Sequence, residues 1–327
     1  MKSIIVTGGV GHIGAHIVKS LSDQFPYKIH VVDNFSQNRK NILKHDNVTY
    51  HEIDIRNKEK LDILFAEVKP ETVFHFAALA NVPDSVKNPA EYYENNVIGS
   101  FNLFEAMRQT GCTKLVCSSS ASVYGEPTTE EIKEDNPKHP TNPYGQTKLV
   151  VEKMLEDYYT AYGISSISFR YFCAAGVEPT LTLGEYRNPE THIIPCMIEA
   201  LLGKRDRFYI YGYDYPTSDG TGVRDYIHVL DLADAHIKAM QKLEEESICT
   251  QYNLGINKGF SVRELITATE NVSGLSLKYE VGSRRSGDPA RLIADASRAM
   301  KELDWKPNYT NIEEIIKTAY NSMQSRI

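Results

Sequence analysis

The run SIIVT (3–7) leads directly into Gly-Gly-Val-Gly-His-Ile-Gly (8–14). β-branched residues favour a buried strand, and the apolar spacing after Gly14 predicts a helix reaching about Phe25. Glycines at 8, 11 and 14 therefore sit between a strand and a helix. There they permit a tight positive-φ turn, close approach of a pyrophosphate, and close strand–helix contact. The amides opening that helix would face the phosphates. Asp33 ends the next apolar run, KIHVVD (28–33). An acid at that place accepts hydrogen bonds from an adenosine ribose and repels a 2′-phosphate, so the pattern predicts NAD rather than NADP.

The first half of the chain continues the alternation. Strands are predicted at 47–55, 72–78, 113–120 and 164–170, with helices at 57–69, from Pro89 to about Thr110, and from Pro143 to Gly163. Alternating strands and helices of this length imply right-handed βαβ units and a doubly wound parallel α/β sheet covered on both faces. Residues 177–222 change character, being rich in Pro, Gly, Tyr and Asp, with one predicted helix near 192–203. We expect a dinucleotide-binding domain over 1–175, rejoined by 223–255, and a smaller interleaved C-terminal lobe over 176–327.

With 327 residues the chain can bury a sizeable core, and its net charge of −7 argues against a broad nucleic-acid or membrane surface. Five cysteines without a CxxC pair read as reduced thiols, with neither a zinc site nor a disulfide frame. No apolar run is long enough to span a bilayer, and a cytoplasmic location is expected.

NPYGQTK (142–148) carries the chemistry. Tyr144 and Lys148 stand one helical turn apart and project from one face. A free phenol, with a pKa of about 10, is a poor base at neutrality. A cation within about 4–6 Å favours the phenolate, by about 1–3 units. An oxidised nicotinamide ring would add to that effect. The phenolate would then take a proton from a sugar hydroxyl as hydride leaves the same carbon. Ser118-Ser119-Ser120, ending a predicted strand, offer a hydroxyl as third partner.

TGGVGHIG, Asp33-Asn34, Asp54-Ile55, HFAA (75–78), SSSASVYGE, Tyr144-x-x-x-Lys148 and RYF (170–172) together resemble the extended short-chain dehydrogenase/reductase family, an NAD-binding Rossmann fold with a smaller substrate lobe. NNV (95–97), PETHIIP (189–195), DGTGVRDYIHVLDLADAH (219–236) and RRSGDPARLIADAS (284–297) are similar to blocks of the UDP-hexose 4-epimerases. The resemblance implies that Ser120 bonds the sugar 4-hydroxyl, Tyr144 is the base and Lys148 its electrostatic partner. It implies a cofactor site built from Gly8, Gly11, His12, Ile13, Gly14, Asp33, Asn34, Asp54, Ile55, Phe76, Ala77, Ala78, Asn95, Asn96, Ser118 and Tyr171, besides Tyr144 and Lys148. For a UDP-hexose it implies Arg224 and Arg285 on the diphosphate, Tyr211 at the uracil and Asp288 at the ribose. Phe172, Cys173, His192, Ile193 and Leu292 complete that set. The implied reaction is redox-neutral, passing through a 4-keto sugar that turns over before hydride returns.

Three positions depart from the family. His12 stands where Tyr is frequent, Ala80 where some members carry Lys, and Cys173 where Asn is usual. At the position of Leu292 the family uses Tyr to exclude acetamido sugars, so a leucine implies acceptance of both UDP-Glc/UDP-Gal and UDP-GlcNAc/UDP-GalNAc. A 4,6-dehydratase or decarboxylase would place an acid after the catalytic hydroxyl, where this chain has Ala121-Ser122. A uronate epimerase and a non-catalytic NAD-binding regulator are the other readings. The family implies a homodimer through helices 89–110 and 144–162, whose Leu103, Phe104, Met107, Leu149, Met154 and Leu155 read equally as outer faces or as core.

Overall fold

The computed structural model describes residues 2–36, 42–187, 189–285 and 288–326. In chain order the elements are β1 (Ser3–Thr7), α1 (His12–Gln24), β2 (Lys28–Asp33), β3 (Val48–Glu52), α2 (Lys58–Val68), β4 (Thr72–His75), α3 (Val82–Lys87) and α4 (Pro89–Tyr92). A π-helical turn (Tyr93–Ile98) leads into α5 (Gly99–Thr110). Next come β5 (Lys114–Ser120), a 3-10 turn (Ala121–Tyr124), α6 (Pro143–Tyr162), β6 (Ser165–Tyr171) and β7 (Cys173–Ala175). The remainder is α7 (Ile193–Leu201), β8 (Phe208–Tyr211), β9 (Val223–His228), α8 (Val229–Glu245), β10 (Cys249–Leu254), β11 (Gly259–Ser261), α9 (Val262–Ser273), β12 (Tyr279–Gly282), β13 (Arg291–Leu292), α10 (Ser297–Glu302) and α11 (Ile312–Gln324).

Seven strands form one sheet in the order β3-β2-β1-β4-β5-β6-β10, every pair parallel. The order reverses between β1 and β4, which opens a crevice at the carboxyl ends of these strands. Strand alternation sends Ile4 and Val6 to a core shared with α1 and α8, and Ile5 to one shared with α2, α5 and α6. A third core packs α7, α9 and α11. Here β9 gathers β7, β11 and β13, while β8 pairs with β12. Thus α8 covers the large sheet although the strand leading into it, β9, lies outside that sheet.

Two expectations change. The helix from Pro89 is interrupted by the π-helical turn, and this widening lets the consecutive residues Asn95 and Asn96 both point inward, buried. Leu103, Phe104, Met107 and Leu155 are fully covered within the chain and pack under the sheet, so they are not an outer face.

A buried ion pair locks α6 to the sheet. Glu152 takes both arms of the Arg170 guanidinium at 2.8 and 2.7 Å, and Ser119 donates to the same carboxylate at 2.6 Å. Arg170 also donates to the Tyr124 phenol at 2.8 Å. The two charged side chains are 1% and 2% exposed. Glu152→Gln leaves a guanidinium uncompensated in the core, and we expect it to cost about 3–5 kcal/mol in urea unfolding. A loss below about 1 kcal/mol would mean that the pair is not what holds α6.

Candidate active site

The turn between β1 and α1 closes backbone on backbone. Gly8 has φ +69°, and a Cβ there would lie 2.5 Å from the Ala77 nitrogen; a Cβ on Gly14 would lie 2.3 Å from the Gly8 carbonyl oxygen. Gly11 precedes α1 with no side chain capping the helix, so amides of its first turn remain open to an anion. The Asp33 carboxylate accepts from the amides of Val10 at 3.3 Å and Phe35 at 2.9 Å, which aims it under the turn. Asp54 accepts from Arg56 and, at 3.0 Å, from Asn34; the Arg56 bonds hold its carboxyl well below the usual range. Open helix amides above an acid at the end of β2 fit a dinucleotide whose ribose hydroxyls are unphosphorylated.

Phe76, Ala77 and Ala78 leave β4 half-buried beside this turn. The Asn96 amide is taken up within the protein. It receives the Leu79 amide at 2.8 Å and donates to the Leu79 carbonyl and the Thr147 hydroxyl at 3.0 Å. Asn95 donates to Asn96 at 2.9 Å. Ile55 is core, packed among residues of α2 and α5.

Asn142 caps α6 by accepting from the Gly145 amide at 2.9 Å, and Pro143 opens the helix. Tyr144 is half-buried in the first turn of α6, where a Cβ on the next residue, Gly145, would lie 2.5 Å from the Ser122 carbonyl oxygen just past β5. The Lys148 ammonium is 5% exposed and donates to the Ser118 carbonyl at 2.7 Å and its hydroxyl at 3.3 Å. The Ser120 hydroxyl accepts from the Ser122 amide at 3.1 Å, which leaves its own proton to donate. Tyr171, expected at the cofactor, turns its phenol into the core, 2.7 Å from Nε2 of His236.

Leu292 packs with Phe172 against Ala121 and Val123, next to Ser120. Its register partner on β9 is Arg224. The Arg224 guanidinium bonds the Asp288 carboxylate and donates to the Val223 carbonyl at 2.8 Å. Arg285 lies over the Tyr211 ring at 4.1 Å, a cation–π contact. Burial pushes the Cys173 thiol up to about 12 beside Arg224, leaving it unreactive. His192 bonds Glu185 just before Ile193 opens α7, and Nδ1 of His12 lies 3.7 Å from that same carboxylate. Glu185 thus links the glycine turn to α7.

Sequence reasoning missed Glu185, Glu152 and Arg170. Glu185 sits in the aperiodic 177–222 segment and Glu152 among other charged residues of α6, whereas Arg170 is the one charged residue of β6, a signal for a buried partner. Glu185, Glu190 and His192 bring ligand atoms within 4.8 Å of one another, a grouping that the cysteine count could not indicate. Their own hydrogen bonds hold this group: Glu190 receives the Thr191 and His192 amides at 2.7 and 2.8 Å.

These parts belong to a Rossmann enzyme with NAD as cofactor. Similarity to known proteins narrows the class. The NAD dependent epimerase/dehydratase family profile matches residues 4–255. The UDP-glucose 4-epimerase of Halalkalibacterium halodurans is 45% identical over 319 residues, spanning 98% of this chain and 95% of its own. The crystal structure of UDP-glucose 4-epimerase from Brucella ovis in complex with NAD superposes with a TM-score of 0.94 at 40% identity, covering 98% of both chains. The UDP-Glc/GlcNAc 4-epimerase of Campylobacter jejuni gives 0.85 at 37% identity, covering 99% of this chain and all of its own. The chain belongs to the NAD dependent epimerase/dehydratase family.

Glu178 anchors the loop that carries Glu185. Its carboxylate receives the amides of Thr180 at 2.8 Å, Thr182 at 2.6 Å and Leu183 at 3.2 Å, besides two threonine hydroxyls. Burial opposes the charge, but these donors outweigh it and hold the group down to about 2, below the 4.5 of a free glutamate. A lowered carboxyl adds stability above pH 4.5, and that stability drains away as pH falls towards 2. We expect Glu178→Gln to lose about 1–3 kcal/mol at pH 7, with the gap to wild type closing between pH 4.5 and 2 in denaturant titrations. A gap independent of pH would refute the charge assignment.

Proposed function

We propose that the chain is a UDP-hexose 4-epimerase interconverting UDP-glucose with UDP-galactose, and UDP-GlcNAc with UDP-GalNAc. The observation that carries this reading is the Lys148 ammonium held on Ser118, one helical turn from Tyr144 and beside Ser120. Ser120 donates to the sugar O4, Lys148 stabilises Tyr144 as the phenolate, and that phenolate takes the O4 proton and becomes a phenol. NAD held at the Gly8–Gly14 turn and Asp33 would supply the hydride acceptor for C4, and the hydride would return to the opposite face of that carbon. Tyr144 then restores the proton to O4, so no net oxidation occurs. Arg224 and Arg285 hold the diphosphate while the 4-keto sugar turns, Tyr211 and Asp288 receive the nucleoside, and Cys173, His192 and Ile193 border it.

The interleaved division at 175/176, with 223–255 returning to the nucleotide domain, belongs to the same proposal and agrees with β10 lying in the large sheet. Half-buried Leu292 supports use of both plain and acetamido sugars, as in the Campylobacter jejuni relative. A homodimer is supported by Tyr93, Ile98 and Phe101 along α5 and the preceding turn, which are 39%, 51% and 41% exposed. Sedimentation at assay concentration tests this, and a monomer there removes it.

Purified protein, given UDP-galactose or UDP-GalNAc without added cofactor, is expected to convert both, with Tyr144→Phe slower by about 10²–10⁴-fold. Leu292→Tyr should depress only the acetamido pair. NAD-loaded protein that turns over neither sugar would instead favour the non-catalytic regulator.

A further inference from the structure

The chain enters the smaller lobe through Gly176, Val177 and Glu178, which leave β7 buried against α1. No step of the proposed reaction uses the contacts that hold them. The Gly176 carbonyl lies 2.8 Å from Nε2 of His12, and a carbonyl can only accept, so that nitrogen carries the proton. Nδ1 of His16 lies 2.6 Å from the His12 carbonyl, so in this ring Nδ1 is the donor. Burial holds both rings below the usual histidine range, His16 down to about 3, and keeps them neutral. The bare Nε2 of His16 therefore receives the Glu178 amide, at 3.1 Å. Between these two points the Val177 amide donates at 3.1 Å to the Thr318 hydroxyl of α11, whose own proton goes to the Ile315 carbonyl. Because His12 gives and His16 takes, the two rings fit this segment in one register.

We infer that His12 and His16 are positioning residues for NAD: they strap the segment from Gly176 to Glu185 onto the first two turns of α1, so that a dinucleotide on the open amides there leaves only when the strap lifts. His12 opens α1, beside amides that no side chain caps. Its ring borders both ends of the strap, with Nε2 on Gly176 and Nδ1 3.7 Å from the Glu185 carboxylate. Arg326 fastens the far end a second time by donating to the Glu185 carbonyl at 3.0 Å. In the middle, the Glu178 carboxylate gathers the amides of Thr180, Thr182 and Leu183, which stiffens the strap. Lifting it breaks the bonds to both rings together and leaves buried polar groups unpaired on each side. The inference rests on NAD as the cofactor and on no choice of sugar.

The test measures how fast bound NAD exchanges with isotopically labelled NAD, with thermal unfolding alongside, in wild type and in variants of the strap. His12→Leu and His16→Leu each remove a bond to the segment, and exchange should quicken about tenfold in both. His12→Gln keeps a donor and His16→Gln keeps an acceptor, so both should hold exchange near the wild-type rate. Thr318→Val cuts the bond from α11, away from the glycine turn, and should quicken exchange about threefold. It decides the matter if the leucine variants do not fold. Leucine and valine variants that unfold at lower temperature yet exchange NAD at the wild-type rate overturn the inference. Exchange as fast in the glutamine variants as in the leucine variants overturns it too, because the bonds to the segment would then not be what retains the cofactor.

Discussion

The fork between Arg170 and Glu152 is the contact on which the rest of the site depends. Tyr144, Lys148 and Glu152 follow one another at helical spacing on α6, so whatever fixes Glu152 fixes the rotation of the two residues before it. Arg170 belongs to β6 and Ser119 to β5, and the carboxylate binds both. Two buried charges carry a desolvation cost of several kcal/mol each, which only close bidentate geometry and further hydrogen bonds can offset. Those further bonds reach Tyr124, which in turn donates to Asn253 on β10 at 2.7 Å. One ion pair thereby connects α6, three adjacent strands and the 3-10 turn beneath the active site.

The serine run ending β5 distributes these tasks by strand alternation. Ser119 faces α6 and holds the ion pair, whereas Ser118 and Ser120 belong to the opposite row. Ser118 takes the ammonium, and Ser120 caps the turn while keeping a proton to give. The glycine turn shows the same economy: a residue with a Cβ at Gly8 or Gly14 would push apart β1, β4 and α1, the parts that must meet beside the cofactor.

Much of this was legible because local chemistry and global fold agree. β1 and β2 fall on the residues that the apolar runs indicated, and Gly111 and Gly163 end α5 and α6 with positive φ. The Tyr–Lys spacing was readable because a helix has one period. What failed needed information from outside the segment. An apolar stripe such as Leu103, Phe104 and Met107 looks the same whether it covers a sheet or a partner's helix, and here it covers the sheet. The π-helical turn changes the period locally, so Asn95 and Asn96 share a direction that ordinary helical spacing denies them. Nothing local reveals that the Asn96 amide clamps Leu79 and Thr147. Glu185 lies in a segment without periodicity, and only the folded chain sets it between His12 and His192.

The Arg224–Asp288 pair has a further effect on what can settle beside β9. Arg224 already has a carboxylate neighbour, and its stem is pinned between β9 partners. An inorganic anion drifting in must compete with a tethered carboxylate whose effective concentration far exceeds that of free salt. A solute prevails there only by gripping several points at once, so the guanidinium is guarded against solutes that offer charge without shape.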